Sequence, residues 1–230
     1  RRAIFSGPRD REHFLELLAE LPTRYRFRVH AYVLMDNHYH AVLQTPEANL
    51  SAGMQWFHGS YSAWYNAKHD RVGPLFQGRY RAIPVEEGVW AYTLSLYVHL
   101  NPLRIAGLGL DKHGRAVEAK GWRTPEAAQV TQRLASLRAY AWSSYRAYAG
   151  YAKAPPWLET ATLLRRAHRE ASRQQGAYRL EARRMLSQGV EPSRSERLRD
   201  AVAIGSAEFS VRMRRLAPTG ALDGTNGKRE

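Results

Sequence analysis

Two runs of residues typical of β-strands, separated by a short polar turn, constrain the fold more than any other feature of this sequence. Residues 27–35 and 38–43 are rich in β-branched, aromatic and aliphatic side chains, and Asp36-Asn37 between them is typical of a tight turn. The pattern predicts an antiparallel hairpin. Because strand side chains alternate between two faces, His38 and His40 are predicted to share one face of the second strand.

Amphipathic helices are predicted on both sides of this hairpin. Apolar residues recur at helical spacing through residues 14–21, with Asp10 as the predicted N-cap and Pro22 as the predicted end. Residues 50–68 and 90–100 repeat the spacing after the hairpin. Strand and helix patterns therefore alternate along the first hundred residues, which indicates an α+β fold.

Residues 75–85, with the sequence LFQGRYRAIPV, are predicted as a further strand. Arg79 and Arg81 would then share one face of that strand, where they could bind the phosphates of a nucleic acid. A solvated basic edge strand would show the same alternation, so the pattern leaves both interpretations open.

The net charge indicates the kind of partner. The 35 Lys and Arg residues outnumber the 21 Asp and Glu residues, which gives a formal charge of +14 and favours a polyanion such as nucleic acid. No apolar stretch approaches the roughly 20 residues of a membrane-spanning helix. The chain has no cysteine, so a metal would have to bind to His, Asp, Glu, Asn or Gln. A cytoplasmic location is the default expectation.

The paired histidines could hold a divalent cation through two neutral imidazoles, but such a pair needs a third ligand to be a convincing site. Tyr97 and Asn101 are four residues apart and would lie one turn apart on a helix. The Asn101 carbonyl oxygen is a candidate third ligand. Spacing alone equally permits a helix-ending Asn101, which precedes Pro102, and a packing role for Tyr97.

Three strings in order, AYVLMDNHYHAVLQT, GPLFQGRYRAIPVE and YVHLNPLRIAG, make most of residues 1–150 resemble the REP-associated tyrosine transposases, which belong to the HUH single-tyrosine, IS200-like transposases. The resemblance implies that His38 and His40 bind Mg²⁺ or Mn²⁺ and that Asn101 completes the metal site. It also implies that Tyr97 is the nucleophile.

The resemblance further implies a ferredoxin-like antiparallel sheet with helices on one face, followed by a basic helical C-terminal extension. Residues 1–150 would form the catalytic domain, in which the first strand usual for the family is expected to be missing and residues 108–137 form a surface insertion. Residues 151–216 would be the basic extension, with helices predicted over residues 159–172 and 176–186. Residues 217–230 are expected to be disordered.

The leading hypothesis is a metal-dependent endonuclease and strand transferase that acts on single-stranded, hairpin-forming DNA through a 5′-phosphotyrosine intermediate. The alternative is a catalytically inactive, domesticated protein that binds DNA hairpins. An RNA-binding module is a third hypothesis, although the sequence lacks the usual aromatic RNP string. We expect a bacterial protein of the cytoplasm associated with the nucleoid; both a monomer and a dimer are compatible with the sequence.

Overall fold

The predicted hairpin is formed by strands β1 (Arg28–Leu34) and β2 (Tyr39–Gln44). The structure is a computed structural model that describes residues 3–188 and 203–216. The strands are antiparallel, with Leu34 opposite Tyr39, and an irregularity in the register at His30 forms a bulge in β1. Within the described residues these two strands form the only sheet.

Helices surround this sheet, and the fold is α+β as predicted. Helices α1 to α5 are Pro8–Tyr25, Leu50–Lys68, Val89–Leu100, Lys112–Ala119 and Ala127–Ala139. Helices α6 to α9 are Tyr145–Tyr148, Ala161–Ala167, Ala171–Ser187 and Ala207–Leu216. In the part of the chain described by the structure, none of the helices has the length and apolar character needed to span a membrane.

Side-chain alternation in the two strands gives the sheet two different apolar faces. On one face, α1 and α2 pack over the strands around fully buried aromatic rings, which include Phe14, Phe57 and Tyr61. On the other face, Val33 and Val42 pack against Val98 of α3. The sheet thus holds α3 opposite α1 and α2.

The start of α1 differs from the prediction. Gly7 is the N-cap, and Asp10 lies in the first turn, where its carboxylate accepts hydrogen bonds from the backbone N–H groups of Ser6 and Gly7 at 2.6 and 3.1 Å. Burial opposes ionisation of Asp10, but hydrogen bonds from Lys68 and His69 leave its pKa below the ordinary value. The carboxylate therefore caps the helix from inside its first turn.

The end of α1 also differs from the prediction, because the helix continues through Pro22 to Tyr25. Proline fixes a φ value that a helix accepts, and it removes only one backbone donor at this position. The backbone N–H of Arg26, which has a left-handed conformation (φ 56°), then bonds to the carbonyl of Leu21 and closes the helix.

The prediction of a strand over residues 75–85 is wrong. This segment has no regular secondary structure apart from a parallel bridge between Val85 and Ile204. Gly78 turns the chain with a φ of 92°, and Pro84 has no N–H to donate to a ladder. A continuous strand cannot form under these two constraints.

Residues 108–137, which were expected as a surface insertion, instead contribute α4 and α5 to a buried core. Glu118 and Arg133 are 3% and 0% exposed and form a two-pronged ion pair with N–O distances of 2.7 and 3.1 Å. The Arg133 Nε also donates to the carbonyl of Leu108 at 3.0 Å. The segment is therefore fixed by a buried charge pair, which composition alone does not reveal.

The C-terminal helices pack against α3. The helices predicted over residues 159–172 and 176–186 correspond to α7 and α8, with different bounds. Their buried side chains share one apolar cluster with α3, and this cluster includes Leu96, Leu100, Leu163, Leu164, Tyr178, Ala182 and Leu186. Residues 217–230, predicted to be disordered, lie outside the described residues.

We predict that Arg133→Met lowers the free energy of unfolding by about 3–5 kcal/mol, because it leaves the Glu118 carboxylate buried without its main partner. Urea unfolding followed by circular dichroism measures the change. The control Arg173→Met removes an exposed ion pair with Glu170 and should cost less than about 1 kcal/mol. Equal losses in the two variants would contradict a stabilising role for the buried pair.

Candidate active site

His38 and His40 lie next to each other on the face of the sheet covered by α3. His40 is opposite Val33 in the hairpin, and the carbonyl of His38 accepts a hydrogen bond from the N–H of Met35 at 2.8 Å. The two imidazole rings are perpendicular, with 5.0 Å between their centroids. Strand alternation therefore places the two imidazoles together, as the sequence predicted.

The hydrogen bond between His38 and its neighbour in sequence selects one ring nitrogen as a possible ligand. The Nδ1 of His38 lies 2.7 Å from the Oδ1 of Asn37. An amide oxygen can only accept, so Nδ1 carries the proton and Nε2 carries the lone pair. Metal-binding histidines commonly have this second hydrogen bond, which orients the ring.

Tyr97 of α3 and Asn101, the residue that follows α3, reach the same region. Residues 95–100 are all buried, as expected for a helix that is apolar on most sides. The Asn101 Nδ2 donates to the carbonyls of Tyr97 and Val98 at 3.0 and 3.2 Å. The amide nitrogen is thus held against the end of the helix, and Oδ1, on the other side of the planar amide, is the atom suited to a cation.

Pro102 explains why the helix ends at this point. Asn101 begins a single 3₁₀ turn, Asn101–Leu103, in which Pro102 and Leu103 are buried. Because proline disfavours continuation of an α-helix through the residue before it, the amide side chain is presented at the helix terminus. Local sequence therefore positions Asn101.

One cleft, with a volume of about 1860 Å³, brings these side chains together. Its walls are β2, the irregular segment 74–85 and the adjoining parts of α3 and α7. We call it the β2–α3 cleft. His38, His40, Tyr97 and Asn101 all line it, and Tyr97 is only 6% exposed, so most of its ring belongs to the core behind the wall.

The donor set of the cleft fits a divalent cation. Two imidazoles and one amide oxygen supply neutral nitrogen and oxygen ligands, and water can complete the coordination. Within residues 3–188 and 203–216, no three His, Asp or Glu side chains form a metal-binding group. Among these residues, a third protein ligand would thus be an uncharged side chain such as Asn101.

Arginines line the cleft from several parts of the chain, and four of them lie on segment 74–85 and on α7. Arg79 and Arg81 lie on segment 74–85, both exposed, although the strand that was predicted to align them is absent. Arg165 and Arg166, at the end of α7, are exposed and line the same cleft. No Asp or Glu of the described residues lies within ion-pair distance of any of the four.

The sequence does not indicate that α7 lines the cleft. The basic composition of the C-terminal region indicated positive charge, but no pattern within it distinguished Arg165 and Arg166 from the other arginines. Their position follows from two buried neighbours, Leu163 and Leu164, which fix α7 against α3. The Arg166 guanidinium consequently lies beside Gly88, just before α3.

Comparison with family models gives a match over residues 1–101, to the model described as transposase, IS200-like. Comparisons with curated proteins and with solved structures find no match. The matched residues include both strands, the two histidines and all of α3, and they end at Asn101. Residues 1–101 of this chain are therefore similar to the IS200-like transposases.

Proposed function

We propose that the protein is a metal-dependent DNA transposase that cuts single-stranded, hairpin-forming DNA with Tyr97 as the nucleophile. The similarity of residues 1–101 to IS200-like transposases supports a DNA-processing enzyme. One observation supports the detailed proposal: His38 and His40 from the hairpin, Tyr97 from α3 and Asn101 just after α3 line a single cleft.

The chemistry follows from these residue types. The Tyr97 phenol oxygen attacks the phosphorus of the scissile phosphodiester, and the bond from phosphorus to the 3′ oxygen breaks. The DNA 5′ end becomes a phosphotyrosine, while the phenol proton passes to solvent and the departing 3′ oxygen takes up a proton. Attack by a 3′-OH on the phosphotyrosine reverses these changes and rejoins DNA without ATP.

His38, His40 and Asn101 would hold Mg²⁺ or Mn²⁺. A bound divalent cation supplies charge stabilisation and orientation for the non-bridging phosphate oxygens. The Asn37 amide keeps the His38 ring in the tautomer that presents Nε2. The hydrogen bonds from Nδ2 keep the oxygen of Asn101 on the outer side of its amide.

Four of the arginines that line the cleft would bind the DNA backbone. Arg79, Arg81, Arg165 and Arg166 bring four positive charges to the walls of a cleft that also contains the proposed nucleophile. Because no described carboxylate pairs with them, phosphate would not have to displace an ion pair formed within the described residues. Exposed guanidinium groups bind phosphate oxygens through two parallel hydrogen bonds.

We predict that Tyr97→Phe binds hairpin DNA as the parent does but forms neither a cut strand nor a covalent adduct. The substitution removes only the attacking oxygen and keeps the ring in the core. Denaturing electrophoresis of labelled oligonucleotides incubated with Mg²⁺ or Mn²⁺ detects both products.

Two further tyrosines serve as controls. Tyr92 lies on the same helix but packs edge-on against Tyr178. The variant Tyr92→Phe should therefore still cleave DNA. Tyr80 also lines the cleft, so Tyr80→Phe tests a rival nucleophile. Loss of the adduct in Tyr80→Phe together with its retention in Tyr97→Phe would assign the chemistry to Tyr80. A parent protein that binds hairpins and never cuts would support the inactive alternative.

We expect His38→Ala and His40→Ala to abolish cleavage while DNA binding changes by less than about fivefold, because phosphate contacts hold the strand independently of the cation. Gel-shift and cleavage assays on the same oligonucleotide separate the two effects. EDTA should reproduce the cleavage defect in the parent protein. Full cleavage in EDTA would overturn the metal requirement.

We predict that Arg165→Ala/Arg166→Ala weakens binding of single-stranded DNA and lowers the slope of log Kd against log salt by about 1.4, since each phosphate contact contributes about 0.7. Fluorescence anisotropy over a salt series measures the slope. The matched control Arg169→Ala/Arg183→Ala removes two exposed arginines that do not line the cleft. An equal change in slope for both variants would mean that the effect is one of net charge alone.

A further inference from the structure

A chain of buried polar side chains links α3 to α8 and β1 on the side of α3 opposite Tyr97. His99 is fully buried, and both of its ring nitrogens are hydrogen-bonded. Its Nδ1 lies 2.8 Å from the Tyr178 oxygen, and its Nε2 lies 2.6 Å from the Ser144 Oγ. The Tyr178 oxygen is also 2.9 Å from the Ser95 Oγ.

The positions of the hydrogens follow from counting donors. Burial lowers the pKa of His99 to about 3, so the ring is neutral and has one N–H. Ser95 donates to the carbonyl of Tyr92 at 2.7 Å, so its oxygen must accept from Tyr178. The Tyr178 oxygen then accepts from the Nδ1–H of His99, and Nε2 accepts from the Ser144 hydroxyl.

The chain also reaches the sheet. The Ser144 Oγ accepts the backbone N–H of Tyr32, in β1, at 2.9 Å. The backbone N–H of Ser144 donates in turn to the carbonyl of Tyr32 at 3.0 Å. The Ser144 Oγ also lies 3.2 Å from the Tyr32 carbonyl, but the shorter 2.6 Å contact assigns its one proton to the Nε2 of His99. The side-chain hydrogen bonds then run in a single direction, from Ser144 through His99 and Tyr178 to Ser95. A single orientation of the hydrogen bonds therefore connects the sheet, α3 and α8.

We propose that Tyr178 and His99 are positioning residues that fix the rotation and height of α3, and thereby the position of Tyr97 relative to His38 and His40. The inference rests on the proposed function of those three residues. The direct contact between α3 and the sheet is made by apolar side chains such as Val98, and apolar contacts have no preferred direction. His99 and Ser95 lie on the neighbouring face of α3, about 60 to 100° around the helix from Val98. Their directional hydrogen bonds can fix the rotation and height of α3 that the apolar contact leaves adjustable.

The key variant is Tyr178→Phe, which keeps the ring and removes the oxygen that joins His99 to Ser95. Tyr148→Phe is a matched control. Tyr148 is also fully buried and lies against Tyr178, with 4.9 Å between the ring centroids. Its hydroxyl, however, donates to the carbonyl of His30 at 2.7 Å and not to α3. Both variants lose one buried phenol oxygen from the same cluster.

Two measurements test the proposal. Single-turnover cleavage at saturating DNA and Mg²⁺ should be about 10- to 100-fold slower in Tyr178→Phe, while the Kd for DNA stays within about twofold, because a small displacement of the reacting groups slows the chemical step. Hydrogen exchange of the α3 amides should be accelerated at least tenfold. Tyr148→Phe should change the cleavage rate and the α3 exchange by less than about threefold.

A second variant guards against a folding defect in Tyr178→Phe. Ser144→Ala interrupts the same chain at its other end, and its effects on cleavage should combine with those of Tyr178→Phe less than multiplicatively, as for members of one network. Equal effects of Tyr178→Phe and Tyr148→Phe on both measurements would overturn the proposal. The proposal would also be overturned if Tyr178→Phe and Ser144→Ala both kept the cleavage rate and the α3 amide hydrogen exchange of the parent protein.

Hydrogen exchange separates this inference from the proposed function. If the parent protein does not cleave DNA, the proposed function fails, and the exchange of the α3 amides still decides the structural link. Faster exchange in Tyr178→Phe alone would then support the role of the chain in fixing α3. Unchanged exchange would overturn it, whatever the DNA assays show.

Discussion

The packing of α3 against the β1–β2 hairpin is the interaction on which the rest of the candidate site depends. Val98 of α3 lies over Val33 and Val42, and this apolar contact closes one side of the sheet. The histidines belong to the sheet, whereas Tyr97 belongs to the helix. Only this contact makes them neighbours along one cleft, so the site is a property of the interface between α3 and the sheet and of no single segment.

The C-terminal helices pack against α3 on the side that faces away from the sheet. An apolar cluster shared by α3, α5 and α8 buries the side of α3 that faces away from the sheet, and α7 joins the same cluster through Leu163 and Leu164. Removal of these helices would expose the leucines and tyrosines of α3 to water. The basic C-terminal region is thus part of the structural support of the site, while Arg165 and Arg166 extend from it into the cleft.

The charges of the cleft suit a polyanion. Arginines enter from segment 74–85 and from α7 without described carboxylate partners, whereas other charged groups, such as Glu118 and Arg133, are paired in the core. A net charge of +14 indicates affinity for a polyanion but does not say where it binds. Four guanidinium groups without a carboxylate partner among the described residues line the cleft that also contains Tyr97, and this cleft is the proposed location of the polyanion.

Local sequence determined the hairpin, the helix over residues 50–68 and the end of α3, because alternation, helical periodicity and Pro102 each act within a few residues. It also placed His38 beside His40. It did not determine the path of segment 74–85, where Gly78 and Pro84 prevent a strand that composition favoured. The buried Glu118–Arg133 pair, the reach of α7 into the cleft and the contact of His99 with Tyr178 join residues 15 to 79 positions apart in the chain. Such contacts leave no periodic pattern in the sequence, so only the tertiary structure decided them.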